Sequence, residues 1–155
     1  MLTRLLVEHD QLAKTLNYLE MHFMELCRGG KPDYSLMHSL LEYIHEYPEQ
    51  IHHPLEDKVF SILNERVDES ELIQELIEEH EELENRTRKL RESLRLLEGN
   101  ALSSDDLIKQ LSEFLIRQRQ HMYLEEQKIH PLIERFITEE DWIHVQSTTP
   151  LYKGK

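Results

Sequence analysis

The chain has 155 residues, a length for one domain, and 18 Lys and Arg against 31 Asp and Glu, for a formal charge of −13. That charge disfavours polyanionic partners, nucleic acid and anionic membrane surfaces alike, and no apolar run reaches the roughly 18 residues of a membrane span. The lone Cys27 excludes an intrachain disulfide framework and a thiolate zinc cluster, so the ten His residues are the compositional excess that needs explaining.

The N-terminal MLTRLLVEHD lacks the apolar core of a signal peptide, which points to a cytoplasmic protein. Helical periodicity runs from about Leu2 to Cys27 and stops at Gly29-Gly30-Lys31-Pro32-Asp33. A second stretch runs from about Ser35 to Arg66, with Pro48 and Pro54 inside it, which should kink it near His52. Asp68 with Glu71 reads as the cap of a third stretch that ends at Glu98, before Gly99-Asn100. Ser103 or Ser104 can cap a fourth stretch reaching about Phe136. Thr138 with Asp141 should open one more short helix around Trp142, followed by a tail. Short connections between long helices predict an all-α, up-down-up-down antiparallel four-helix bundle over residues 1–140, then a short helix and tail over 141–155.

A bundle helix turns one apolar stripe inward at spacings of three and four. The first stretch gives Leu5, His9, Leu12, Leu16, Leu19, Phe23 and Leu26. The second gives Leu41, His45, Pro48, His52, Leu55, Val59 and Ile62. Ile73, Leu76, His80, Leu83, Thr87, Leu90, Leu94 and Leu97 line the third. The fourth offers Leu107, Leu111, Phe114, Gln118, His121, Glu125, Leu132 and Phe136. Every stripe is thus interrupted by His, and Glu56 and Glu125 each follow a stripe His by four residues. Burying a polar group without a partner costs about 1–3 kcal/mol, and a carboxylate more. Four imidazoles and two carboxylates would therefore consume most of a typical stability of roughly 5–15 kcal/mol. A bound cation removes that cost, and nitrogen and carboxylate donors suit iron, manganese or zinc.

The pattern is duplicated. Glu8-His9 aligns with Glu79-His80, and His52-x-x-x-Glu56-Asp57 with His121-x-x-x-Glu125-Glu126. Two helical hairpins of similar plan would place two half-sites face to face, each with two imidazoles, sharing two carboxylates. That is the requirement of a dinuclear centre.

With EHD at Glu8, HHPLEDKVF at His52, EEHEEL around His80 and HMYLEEQKIHP at His121, the chain resembles the hemerythrin-like, or HHE cation-binding, family over about residues 1–140. The resemblance implies a four-helix bundle with a non-haem di-iron centre that binds or senses O₂ or NO. It implies His9, His52, Glu56, His80, His121 and Glu125 as ligands, with Glu56 and Glu125 bridging, together with an oxo or hydroxo group. Animal hemerythrins carry a second His where this chain has Glu84, and their fourth-helix carboxylate falls at Glu126, so the bacterial HHE type is the nearer match. Glu84, Glu126 and His53 are further candidate ligands. His52 rather than His53 lies on the stripe and aligns with His121. His45 suits core packing or a supporting role near the site. His22, His38, His130 and His144 follow no stripe and are expected at the surface. Two other functions remain open on sequence grounds: a di-iron ferroxidase or peroxidase-like enzyme, and an iron-handling interaction module. No output domain or protein partner is identified.

Overall fold

The computed structural model describes residues 2–100 and 102–149. All the regular elements among them are helical. Helix α1 spans Leu2–Cys27. Helix α2, Tyr34–Ile44, passes without a break into a π-helical segment, π1, His45–His52, and then into α3, His53–Asn64. Helix α4 spans Ser70–Glu98. Helix α5, Ser104–Leu124, passes through a second π-helical segment, π2, Glu125–Ile129, into α6, His130–Phe136. The short helix α7 covers Glu139–Ser147.

Sequence-local chemistry sets these boundaries. Asp33 caps α2 by accepting from the Leu36 N–H at 3.0 Å. Ser103 accepts from the Asp106 N–H to start α5. Thr138 and Asp141 form a reciprocal capping box on α7, the one expected from the sequence. The expected Asp68 cap is not formed: α4 begins at Ser70, behind Glu69, with no side-chain cap. At the end of α4 it is Asn100, not Gly99, that takes the left-handed backbone, at φ 60°.

The four stretches pack as a bundle, with residue pairs between neighbours running in opposite chain order. His52 and Tyr47 meet Glu8, while Arg119 meets Glu20 and His9 meets Glu126. Likewise His80 meets Asp57 and Gln50 meets Glu84, and Ser93 meets Gln110 where His121 meets Glu79. Helix α7 lies on α3, held by Arg66, which donates two hydrogen bonds to Asp141 at 2.6 and 2.9 Å.

The core is divided in two. One apolar cluster contains Leu12, Leu16, Leu41, Leu90, Leu111 and Phe114. The other contains Leu5, Leu55, Phe60, Ile73, Leu76 and Ile133. His9 lies between Leu5 and Leu12 on α1, and His80 between Leu76 and Leu90 on α4. A polar layer is therefore clamped between two hydrophobic ones, which hold it away from water.

The stripes follow the expected pattern until each π segment, then advance by one residue. In the second stretch Glu56, Phe60 and Leu63 are fully buried beside Leu55 and Val59, and Ile62 is only partly buried. In the fourth, Ile129, His130 and Ile133 take the interior, and the expected Leu132 and Phe136 are only partly buried. Both shifts have the same cause. Pro54 and Pro131 lack an N–H, and in an α-helix each ring would strike the carbonyl four residues back. The turn before each proline is widened instead: the His53 N–H reaches Pro48 O and the His130 N–H reaches Glu125 O, five residues back. The wide turn absorbs an extra residue, so everything after it is rotated.

Candidate metal centre

All six expected ligands, His9, His52, Glu56, His80, His121 and Glu125, are buried in the polar layer. Glu56 turns Oε1 toward His52 Nε2 at 3.1 Å and His80 Nε2 at 3.3 Å. Its Oε2 faces His9 Nε2 at 3.5 Å and His130 Nε2 at 3.9 Å. Glu125 turns Oε2 toward His121 Nε2 at 3.0 Å and His80 Nε2 at 3.2 Å, and Oε1 toward His9 Nε2 at 3.2 Å. Each carboxylate thus offers one oxygen to the His80 side and the other to the His9 side.

Six imidazoles surround the two carboxylates. The His80 ring lies 4.1 Å from that of His53 and 4.7 Å from that of His121. The His9 ring lies 5.0 Å from that of His52 and 5.1 Å from that of His130. Donor atoms of His53, Glu56, His80 and His121 converge to within 4.8 Å of one another, as do those of His9, Glu56 and His130. His53 is drawn inside together with His52, because π1 widens the turn that carries both. His130 corrects the surface assignment: π2 rotates it into the core, where 4% of it is exposed. The signal that could have found it was the second His-Pro dipeptide, His130-Pro131, which marks a wide turn as His53-Pro54 does.

Four outer carboxylates hold the ring orientations. Since a carboxylate only accepts, each partner imidazole places its Nδ1–H outward. His52 donates to Glu8 Oε1 at 2.8 Å and His121 to Glu79 Oε1 at 2.8 Å. His80 donates to Asp57 Oδ1 at 2.5 Å and His9 to Glu126 Oε1 at 3.2 Å. All four Nε2 atoms then face the centre, as ligands braced by outer carboxylates do. The arrangement obeys the internal repeat: Glu8 and Glu79 act within their own hairpins, whereas Asp57 and Glu126 reach across to the other. Tyr47 steadies Glu8 by donating to its Oε2 at 2.7 Å. Glu126 is thereby a bracing group, 40% exposed, rather than part of the inner cluster. Glu84 lies outside it, accepting from Gln50 at 3.4 Å. His45, expected either to pack in the core or to support the site, is partly exposed and meets Glu49 at 3.3 Å.

The donor set fits a cation better than it fits itself. Both oxygens of Glu56, Glu125 Oε1, His52 Nε2, His121 Nε2 and both His130 nitrogens are buried without a hydrogen-bond partner among the described residues. They approach one another at 3 to 4 Å yet do not align as donor and acceptor, because they aim at shared points between them. Charge inside the cluster is balanced only by proximity. Burial opposes the imidazolium of His9, but the carboxylates of Glu125 and Glu56 that face its Nε2 outweigh it and push its pKa up to about 11. Burial likewise opposes the charged form of His52, and the charge of Glu56 outweighs it, raising the pKa to about 9. His53 goes the other way: complete burial, reinforced by the neighbouring His80, holds it neutral. Burial opposes ionisation of Glu56, yet the surrounding imidazoles keep it a carboxylate.

A helical bundle with buried imidazoles ringed around two carboxylates defines a cation-binding class of site. The chain matches the hemerythrin HHE cation binding domain over residues 1–133, and it belongs to that family. No curated protein matches it. No helix among the described residues is long and apolar enough to cross a membrane.

Proposed function

We propose that the centre holds two iron ions and binds a diatomic ligand, O₂ or NO, as a sensor or binding protein. The observation that carries this reading is the two-sidedness of Glu56 and Glu125, each of which offers one oxygen to each imidazole group. In this reading His53, His80 and His121 serve one ion and His9 and His130 the other, with both carboxylates shared and His52 beside the Glu56 oxygen that also faces His80. Six nitrogen and four oxygen donors of this kind suit iron, and zinc or manganese would also be accepted. Bound there, iron supplies a redox-active Lewis acid with a coordination position for the diatomic. The protein's own part is orientation and exclusion. Glu8, Glu79, Asp57 and Glu126 lock the rings, and the two apolar layers keep bulk water from the centre.

The test is metal content after growth with iron in air. The wild type should carry about two iron ions per chain and absorb in the near ultraviolet, as carboxylate-bridged Fe(III) pairs do. His53→Ala and His130→Ala should each hold fewer than the wild type. One zinc per chain with no such band overturns the reading. Repeated turnover of Fe(II) or peroxide would move the assignment to a ferroxidase or peroxidase-like enzyme.

A further inference from the structure

The internal repeat gives the centre two related openings, and the sequence has made them chemically different. One groove of about 400 Å³ lies between α1 and α5 and reaches His9 and Glu126. Its wall is Leu6, Ala13, Met122 and Tyr123, with Arg119 and Asp10 at the rim. The other, of about 360 Å³, lies between the π1–α3 stretch and α4 and reaches His80 and Asp57. At the places equivalent to Asp10, Ala13 and Met122 it carries Glu81, Glu84 and His53, and Glu49 and Glu78 join them. No Lys or Arg among the described residues lines it. His53 is the independent observation at its floor. It is 5% exposed and lines this groove, its imidazole makes no hydrogen bond among the described residues, and it belongs to the converging donor group with Glu56, His80 and His121.

We propose that the acidic groove between α3 and α4 is the entry route for divalent cations, with His53 the first imidazole of the centre that an entering ion meets. This rests on the metal-centre reading and deepens it. Glu78, Glu81 and Glu84 set a local negative potential at the mouth, which raises the concentration of a dication there. A low-dielectric cleft of one charge sign focuses that field, with on-rate gains of about 10-fold and upward. The imidazole of His53 is unpartnered at the floor of the groove, so it can take up a metal ion without first breaking a side-chain hydrogen bond. The opposite groove is walled by Leu6, Ala13, Met122 and Tyr123, with its rim charges Asp10 and Arg119 already paired to Lys14 and Glu20, and offers no comparable path.

The experiment follows Co(II) uptake by metal-free full-length protein, using the visible bands that cobalt gains on nitrogen and oxygen coordination. At low salt Glu81→Gln/Glu84→Gln should load about 5-fold more slowly than wild type, since electrostatic steering is removed. At high salt, where the Debye length falls to about 3 Å, the difference should close. The final Co(II) content should not change. Asp10→Asn, in the other groove, should load at the wild-type rate, and His53→Met should load slowly at every salt concentration. A double variant or His53→Met that loads as fast as wild type overturns the inference, as does an equal slowing by Asp10→Asn. A wild type that takes up no Co(II) overturns the metal-centre reading and this route with it, whereas two ions bound at unaltered rates overturn the route alone.

Discussion

Glu49 shows how much one residue can cost when it sits beside the centre without belonging to it. It is buried in π1, where it accepts a hydrogen bond from Thr87 of α4 and faces His45 of its own segment. Burial pushes its pKa up to about 7, against the pull of Thr87 and His45 and with the charge of Glu84 adding to the rise. A carboxylate raised in the folded state contributes stability that is whole below about pH 4.5 and is lost as pH rises through about 7. Glu49→Gln removes that loss. Its urea midpoint should fall less than that of the wild type between pH 5 and pH 8, and equal falls would contradict the assignment. The same residue-level view separates what could be read in the chain from what could not. His9, His52, His80 and His121 interrupt apolar stripes, so each declares itself. His130 does not, because its inward direction depends on a backbone register that counting by threes and fours cannot supply.

At the level of the element, the two π segments decide the site. Each puts a widened turn beside one of the two central carboxylates: π1 ends at His52, four residues before Glu56, and π2 begins at Glu125 itself. The kink expected from Pro48 and Pro54 is realised as this widening, which carries a second imidazole inward without breaking the helix. Helix starts were legible at Ser103 and Thr138, where a side chain caps the backbone, and the cap was misplaced at Ser70, where none does; the cap at Asp33 was not read. Helix α7 is the element most dependent on such chemistry, being only nine residues long. Thr138→Ala removes a cap worth about 1 kcal/mol and half of a capping box. The expected result is a thermal midpoint lower by about 2–4 °C for a chain of this size. An unchanged melting curve would mean that the Arg66 pairing with Asp141 alone fixes α7.

At the scale of the whole molecule, the centre is a stability problem that a cation resolves. Buried atoms of Glu56, Glu125, His52, His121 and His130 without partners weaken the metal-free bundle. A ligand that binds only the folded chain adds about 2.7 kcal/mol at a hundredfold excess over its Kd. Chelation should therefore lower the midpoint by about 5–10 °C at pH 7. The imidazoles of His9 and His52, raised to about 11 and about 9 in the metal-free fold, hold protons that the ion must displace, so the gap between loaded and stripped protein should narrow steadily as pH falls through the neutral range. Loaded and stripped protein melting together at pH 7 would contradict a structural contribution from the ion.

The crossing of Asp57 and Glu126 between hairpins bears on the order in which the chain is made. Synthesis releases the first hairpin alone, with His9, His52, Glu8 and Glu56 on an apolar face that has no second layer to close it. His9 then lacks Glu126, which is 117 residues later in the chain, and Asp57 has no imidazole to hold. A core closed over the first hairpin alone would hold those groups dry and half-partnered, so the polar layer is complete only once α5 and π2 are in place.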